Sequence, residues 1–339
     1  MLDFGFLILD AKSIIHNPKS FFGERGVALL IVLWVITILM ATVLSFTLMT
    51  RSDTYGTLSF RDRLEKQFLA EAGVERGIAE IIYRAINAKQ TVTWEGSEVW
   101  KMDGEPHEER LGKGVYTVRI FDEAGKISLN GLTDVSGIVV KNLLVNLEVS
   151  PEDADTIVDS ILDWMDEDNL HRLSGAEDDY YLGLPHPYKA RNADFETLEE
   201  LLFVKGVTPD IFYGTEGKKG LSHFLSIYSN TSLINLNAAP REVLAALPGM
   251  DAALADQVIE FRKSADIDTP EDIVSIIGGA YHLLQSYVGV QSGAATICTI
   301  EALGYKDGGK KGYPIQATVV LEGPDQYRYL SYRSPAEGM

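Results

Sequence analysis

The sequence predicts an α+β chain in which a long N-terminal helix packs on an antiparallel sheet and a large helical domain is inserted into that sheet. Three observations predict it. Residues 26–50 carry no charged side chain. Apolar positions then keep helical spacing well beyond Arg51. Strand-like alternation occupies residues 114–121 and, after a mainly helical stretch, returns only at residues 297–302.

The apolar run comes first in the chain. About 20 apolar residues cross the hydrocarbon core of a bilayer, so residues 27–49 read as one membrane span. An ordinary secretory signal has an apolar core of ~7–15 residues and a small-residue cut after it. Here the run is longer, and the short basic motif Arg25-Gly26 precedes it. That order suits a leader, residues 1–26, cut on the cytoplasmic side so that the mature protein keeps the apolar helix. Lys12, Lys19 and Arg25 fit a cytoplasmic N-terminus under the positive-inside rule.

Beyond Arg51, Leu64, Phe68, Ala72, Ile78, Ile82 and Ile86 continue an apolar stripe at helical period. Residues 27–90 are therefore expected to form one helix, half in lipid and half against the sheet. Ala70-Glu71-Ala72-Gly73 supplies small residues for a close approach. The sheet is assigned to residues 91–130 and 292–339. Its strands are residues 114–121, 297–302, 315–321 and 327–332, with turns at Asp122-Glu123-Ala124-Gly125 and Glu322-Gly323-Pro324-Asp325. Residues 94–110 read as a connection.

The insertion, residues 131–291, shows an internal echo. Ile127-Ser128-Leu129-Asn130 matches Ile234-Asn235-Leu236-Asn237, and each is followed by a short helix, a turn and a second helix. Ser150-Pro151-Glu152-Asp153 starts a helix well: Ser caps, Pro has the required φ, and the acids face the positive end of the dipole. Thr269-Pro270-Glu271-Asp272 repeats the recipe. Residues 234–262 resemble a helix-hairpin-helix module with Leu247-Pro248-Gly249-Met250 at its turn. A membrane-tethered DNA receptor is thus the alternative function. Against it, Asp251 stands where glycine would admit a phosphate, and the net charge of −19 opposes a phosphate-binding surface.

The chain has 339 residues, room for two domains or for one with a large insertion. Cys298 is the only cysteine, so no intramolecular disulfide forms. No nucleophile–base spacing, phosphate loop or zinc-type ligand set occurs, and the chain is read as not an enzyme.

The most informative polar cluster holds Asp163, Asp166, Glu167, Asp168, Glu177, Asp178 and Asp179, against Arg172 and His171. On a helix from Pro151, Asp155, Asp159, Asp163 and Asp166 line one edge, where like charges destabilise by about 0.2–0.5 kcal/mol per pair. A hard divalent cation would turn that repulsion into attraction. If residues 169–176 curl back, Glu177 and Asp178 reach the same ion. The opposing reading is a solvated acidic edge. An EF-hand is excluded, because Leu170 and His171 occupy its oxygen-ligand and glycine places.

Taken together, Arg25-Gly26-Val27-Ala28-Leu29-Leu30, the apolar helix, Ala70-Glu71-Ala72-Gly73, Asp163-Trp164 with Asp166 and Asp168, Gly175-Ala176-Glu177-Asp178-Asp179-Tyr180-Tyr181 and Ile234-Asn235-Leu236-Asn237 resemble the general secretion pathway protein K family. These are minor pseudopilins of type II secretion. The resemblance runs from about Glu24 to the C-terminal strands. It implies a pilin-like fold, cleavage after Gly26 by prepilin peptidase and methylation of the new amine on Val27. It also implies calcium in the inserted domain, with Asp163, Asp166, Asp168, Glu177 and Asp178 as candidate ligands. The place implied is the bacterial inner membrane, single-pass, with the C-terminal domain in the periplasm and other minor pseudopilins as partners through the N-terminal helix. Most pilin-like subunits carry Glu at the fifth mature position; here it is Ile31, an absence the family shares and one expected of a subunit at the filament tip.

Overall fold

The computed structural model describes residues 24–87, 93–94, 97–98, 100–229, 232–289, 296–306, 311–323 and 325–336. The expected leader, up to residue 23, lies outside them. The chain divides into two units, Met1–Asp62 and Arg63–Met339.

The first unit is the opening part of helix α1 (Glu24–Ile86). Among the described residues α1 is the one helix long and apolar enough to cross a membrane. Its large apolar side chains are exposed along this part, Trp34 and Leu29 among them. The Thr37, Thr42, Thr47 and Thr50 hydroxyls donate back to the carbonyls of Trp34, Leu39, Val43 and Phe46 at 2.8–2.9 Å. Satisfying each hydroxyl within the helix is what a hydrocarbon environment requires.

The second unit holds two cores. The first lies between the rest of α1 and a five-stranded antiparallel sheet of β1 (His107–Leu111), β2 (Gly114–Asp122), β3 (Ile297–Lys306), β4 (Tyr313–Leu321) and β5 (Tyr327–Arg333), in the order β5-β4-β3-β2-β1. Ala70, Val74, Ile78 and Ile81 pack against Val118, Ile120, Ile300, Ala302 and Ile315. The predicted stripe holds at Ile78, which is buried, and at Ala72 and Ile82, which pack on this core. It does not hold at Phe68 and Ile86, which are exposed, while Ala70, Gly73, Val74 and Gly77 face the sheet. Close approach decides this. A Cβ on Gly73 would lie 3.0 Å from the Val118 side chain, and one on Gly304 of β3 only 2.1 Å from the Lys66 carbonyl oxygen. The sheet therefore selects the small residues of the helix and leaves Phe68 outside.

β2 and β3 are neighbours, and Cys298 stands opposite Asp122. The chain thus leaves the sheet after Asp122 and returns beside the point of departure, so the sequence between them can fold separately without disturbing the register. It forms the second core, which already includes Ile127 and Leu129 and so begins ahead of residue 131. Its frame is repeated. Ile127–Ser128 pairs in parallel with Leu225–Ser226, and Ile234–Asn235 pairs in parallel with Val288–Gly289. After the first short strand come α2 (Gly137–Asn146) and α3 (Pro151–Met165); after the second come α6 (Arg241–Ala246) and α7 (Ala252–Ser264).

The echo extends to hydrogen bonds. Asn130 Oδ1 accepts from the Phe195 N–H and its amide donates to the Phe195 carbonyl; Asn237 does the same to Ile267. Two residues beyond each contact, Thr197 and Thr269 open capping boxes with Glu200 and Asp272. Thr269 heads α8 (Pro270–Ile277). The units differ where α3 and α7 end. Only Ala265 and Asp266 separate α7 from Ile267, whereas residues 166–194 separate α3 from Phe195 and hold the acidic cluster with α4 (Asp178–Leu182); α5 (Pro209–Tyr213) follows before the second unit. Polar contacts join the two cores: Asn235 Nδ2 donates to Asp122 Oδ2 at 2.9 Å, and the Thr299 hydroxyl donates to Glu123 Oε1 at 2.6 Å.

Candidate metal centre

Helix α3 sets the site. The Ser150 hydroxyl accepts from the Asp153 N–H at 3.1 Å, and Pro151 begins the first turn. Burial of Ala154, Ile157, Val158, Ile161, Leu162 and Trp164 fixes its rotation. Asp163, expected on an acidic edge, is fully buried. The chain beyond α3 curls back over it. The Ser174 N–H donates to Asp159 Oδ2 at 2.9 Å, and the Arg172 N–H donates to the Asp163 carboxylate at 3.2–3.3 Å. Lys205 Nζ secures the outer side by donating to the carbonyls of Ser174 and Gly175 at 3.2 and 3.0 Å. Gly175 permits the approach, for a Cβ there would lie 1.8 Å from Asp163 Oδ2.

The return brings Glu177 inside. Carboxylate oxygens of Asp163, Asp166 and Glu177 lie within 4.8 Å of one another. Glu177 is 1% exposed, and among the described residues neither of its oxygens has a hydrogen-bond partner; Asp166 Oδ1 is likewise buried without one. Burying an unpaired carboxylate is expensive, and the pKa directions follow. Burial pushes Glu177 up to about 7, helped by the charges of Asp163 and Asp166. Burial also raises Asp163, against the lowering effect of hydrogen bonds from Arg172. Arg172 Nη1 donates to Asp163 Oδ1 at 2.7 Å and to Asp166 Oδ2 at 2.6 Å, while Nε donates to Asp134 at 3.0 Å. Burial alone would lower Arg172, but these three carboxylates raise it. A buried all-oxygen set with a partnerless carboxylate fits a hard divalent cation.

Three of the five sequence-selected acids thus converge, and two do not. Asp168 accepts from the Leu170 N–H at 2.7 Å within its own turn. Asp178 faces away, accepting from Lys189 Nζ at 2.7 Å and from the Ala190 N–H at 3.0 Å; Lys189 lowers its pKa. Arg172 was visible in sequence as a cation among acids, without a role. Gly175 stood in sequence only as part of the family resemblance, because it acts by lacking a side chain, and Lys205 gave no signal, because it comes from a distant loop.

Of the remaining selected positions, Gly26 and Val27 lie in α1, and Ile31 is exposed on it. At the hairpin of the second unit Gly249 has φ +80°, and the Asp251 carboxylate accepts from the Leu254 N–H at 2.8 Å. A negative charge therefore already occupies the start of α7, where a phosphate would bind.

Both repeated units match models of one family, described as type II secretion system protein K: residues 125–214 match one model and residues 234–290 a second. The chain belongs to the type II secretion system protein K family. It is a minor pseudopilin of that system. The type II secretion system protein K of Pseudomonas aeruginosa is 27% identical over 267 residues, which is 74% of this chain and 76% of that protein. The putative type II secretion system protein K of Escherichia coli K12 is 28% identical, over 63% of this chain and 66% of its own length. A chain in the crystal structure of the GspK-GspI-GspJ complex of enterotoxigenic E. coli shares the fold, with a TM-score of 0.61 at 17% identity. That likeness covers 83% of this chain and 99% of the other. Nothing among these protein K relatives points to a DNA receptor.

Proposed function

We propose that this minor pseudopilin stands at the tip of the pseudopilus, where it caps the filament and helps start its assembly for protein export across the outer membrane. The observation that carries the reading is Ile31. Where most pilin-like subunits place a Glu able to pair with a neighbour's N-terminal amine, this helix presents an apolar side chain. An unpaired charge within lipid costs roughly 2.5–3.5 kcal/mol on insertion scales, so a subunit with no neighbour above it is better without one. The bulk of the inserted domain acts in the same direction by obstructing a further subunit.

In this reading prepilin peptidase cuts between Gly26 and Val27, the amine of Val27 is methylated, and α1 anchors the protein in the inner membrane with the sheet and insertion in the periplasm. Its partners are other minor pseudopilins, met through α1; the neighbouring fold comes from a chain of a GspK-GspI-GspJ complex. Calcium is the expected ion. Asp163, Asp166 and Glu177 would hold it, and its double positive charge would neutralise carboxylates that otherwise repel. Asp163 stands on α3 and Glu177 beyond the returning loop, so an ion held by both would stiffen the periplasmic head.

Ile31→Glu in secreting cells tests the tip assignment. It is expected to cut export of a native cargo at least tenfold and to reduce co-purification with the other minor pseudopilins. A chain lacking the insertion is expected to let subunits add above it. Normal export and normal co-purification by both variants would defeat the capping account.

A further inference from the structure

We infer that Arg172 is an exchangeable internal cation: its guanidinium takes the place a divalent metal ion fills among Asp163, Asp166 and Glu177, and competition between the two sets the site's affinity and its preference for divalent ions. The inference rests on the metal reading proposed above and concerns what opposes binding.

The geometry of the side chain carries the argument. Each terminal guanidinium nitrogen has two hydrogens. Those of Nη1 are committed, one to Asp163 Oδ1 at 2.7 Å and one to Asp166 Oδ2 at 2.6 Å. The third member of the set, Glu177, is 1% exposed and receives no hydrogen bond on either oxygen among the described residues, although its carboxylate lies within 4.8 Å of the others. Directional N–H groups thus serve two acids and leave the third unserved. A calcium ion has no such directionality and takes six to eight oxygens. It can satisfy all three carboxylates and bring Asp166 Oδ1, also without a partner, into use.

Charge points the same way. Three carboxylates around one guanidinium leave a net negative pocket. Sodium brings no more charge than the arginine it would displace, whereas a divalent ion brings twice as much. The displaced side chain also has somewhere to go. Its Nε already donates at 3.0 Å to Asp134, whose side chain is 77% exposed, so Nη1 can swing outward about that anchor. The backbone N–H of Arg172 stays on Asp163 at 3.2–3.3 Å, which keeps the loop in place while the charge exchanges. Arg172 therefore lets the head fold before metal arrives and lowers the apparent affinity afterwards.

Calcium chloride titration of the chelator-stripped full chain in detergent micelles, followed by calorimetry and by thermal unfolding, tests this. Arg172→Gln is expected to bind calcium at least tenfold more tightly than wild type. Its melting temperature should be lower in excess chelator and should recover at saturating calcium. Should Arg172→Gln fold only with calcium, the same titration still reads its midpoint. Glu177→Gln is expected to abolish binding, and 150 mM sodium to weaken wild-type binding less than threefold. Unchanged or weaker calcium affinity in Arg172→Gln, with binding still lost in Glu177→Gln, would overturn the role of Arg172 alone. No binding in wild type with binding in Arg172→Gln would support it in extreme form. No binding in either would overturn both the competition and the metal reading.

Discussion

Glu177 and Asp178 are adjacent in sequence and opposite in fate. Glu177 precedes α4 and is buried against Asp163 and Asp166; Asp178 begins the helix and turns to Lys189. Run composition shows a group of acids but not which of two neighbours points inward, since that depends on the rotation of a helix only five residues long. The convergence of Asp163, Asp166 and Glu177 was legible because they flank a loop able to return; the diversion of Asp168 to its own turn was not. Another residue-scale consequence concerns His107. Its ring stacks on Trp100 with centroids 4.5 Å apart, and its Nε2 is buried without a hydrogen-bond partner among the described residues. Burial lowers its pKa below the ordinary 6.5, against the raising effect of Asp103, Glu105 and Glu109. For a depressed histidine the stability contribution is complete above the unfolded value and is lost as pH falls through the folded one. His107→Phe keeps the stacking and removes the titration. Chemical denaturation should therefore show the variant losing less stability than wild type as pH falls below about 6.5; parallel pH profiles would remove His107 from the account.

At the scale of elements, periodicity located β2 to β4 because each has a face packed on the helix, and β5 by its tyrosine-rich alternation. It missed β1. His107-Glu108-Glu109-Arg110-Leu111 forms an edge strand with largely exposed side chains, so its polar sequence reads as a connection. The helix stripe was wrong at Phe68 and Ile86 for the opposite reason. Large apolar residues drew the reading to Phe68 and Ile86, whereas contact with the sheet is made through Ala70, Gly73 and Gly77. β3 reciprocates with Gly304, where a Cβ would meet the helix backbone at Lys66 and Ala70. Gly304→Ala is expected to destabilise the domain by about 1–3 kcal/mol, the usual cost of overpacking, as a lower midpoint in urea with unchanged slope. A midpoint equal to wild type would mean that helix and sheet are less closely joined than described.

The whole molecule follows from two separations. Charge is absent from residues 27–50 and dense beyond them, which divides the membrane-suited part of α1 from the water-suited remainder. The insertion leaves and re-enters the sheet between neighbouring strands, so a repeated helical module can grow without altering the pilin-like part. The repeat was legible in Asn130 and Asn237. That one copy alone carries the acidic segment became visible only when α3 and α7 were aligned by their ends.

The tip position makes the most direct demand on the intact filament. A single biotin placed at the exposed turn residue Glu216, on a chain shown to support export, can be labelled with gold on isolated pseudopili and viewed by electron microscopy. The account predicts one gold particle at one end of each filament. Particles distributed along the filament shaft would contradict it.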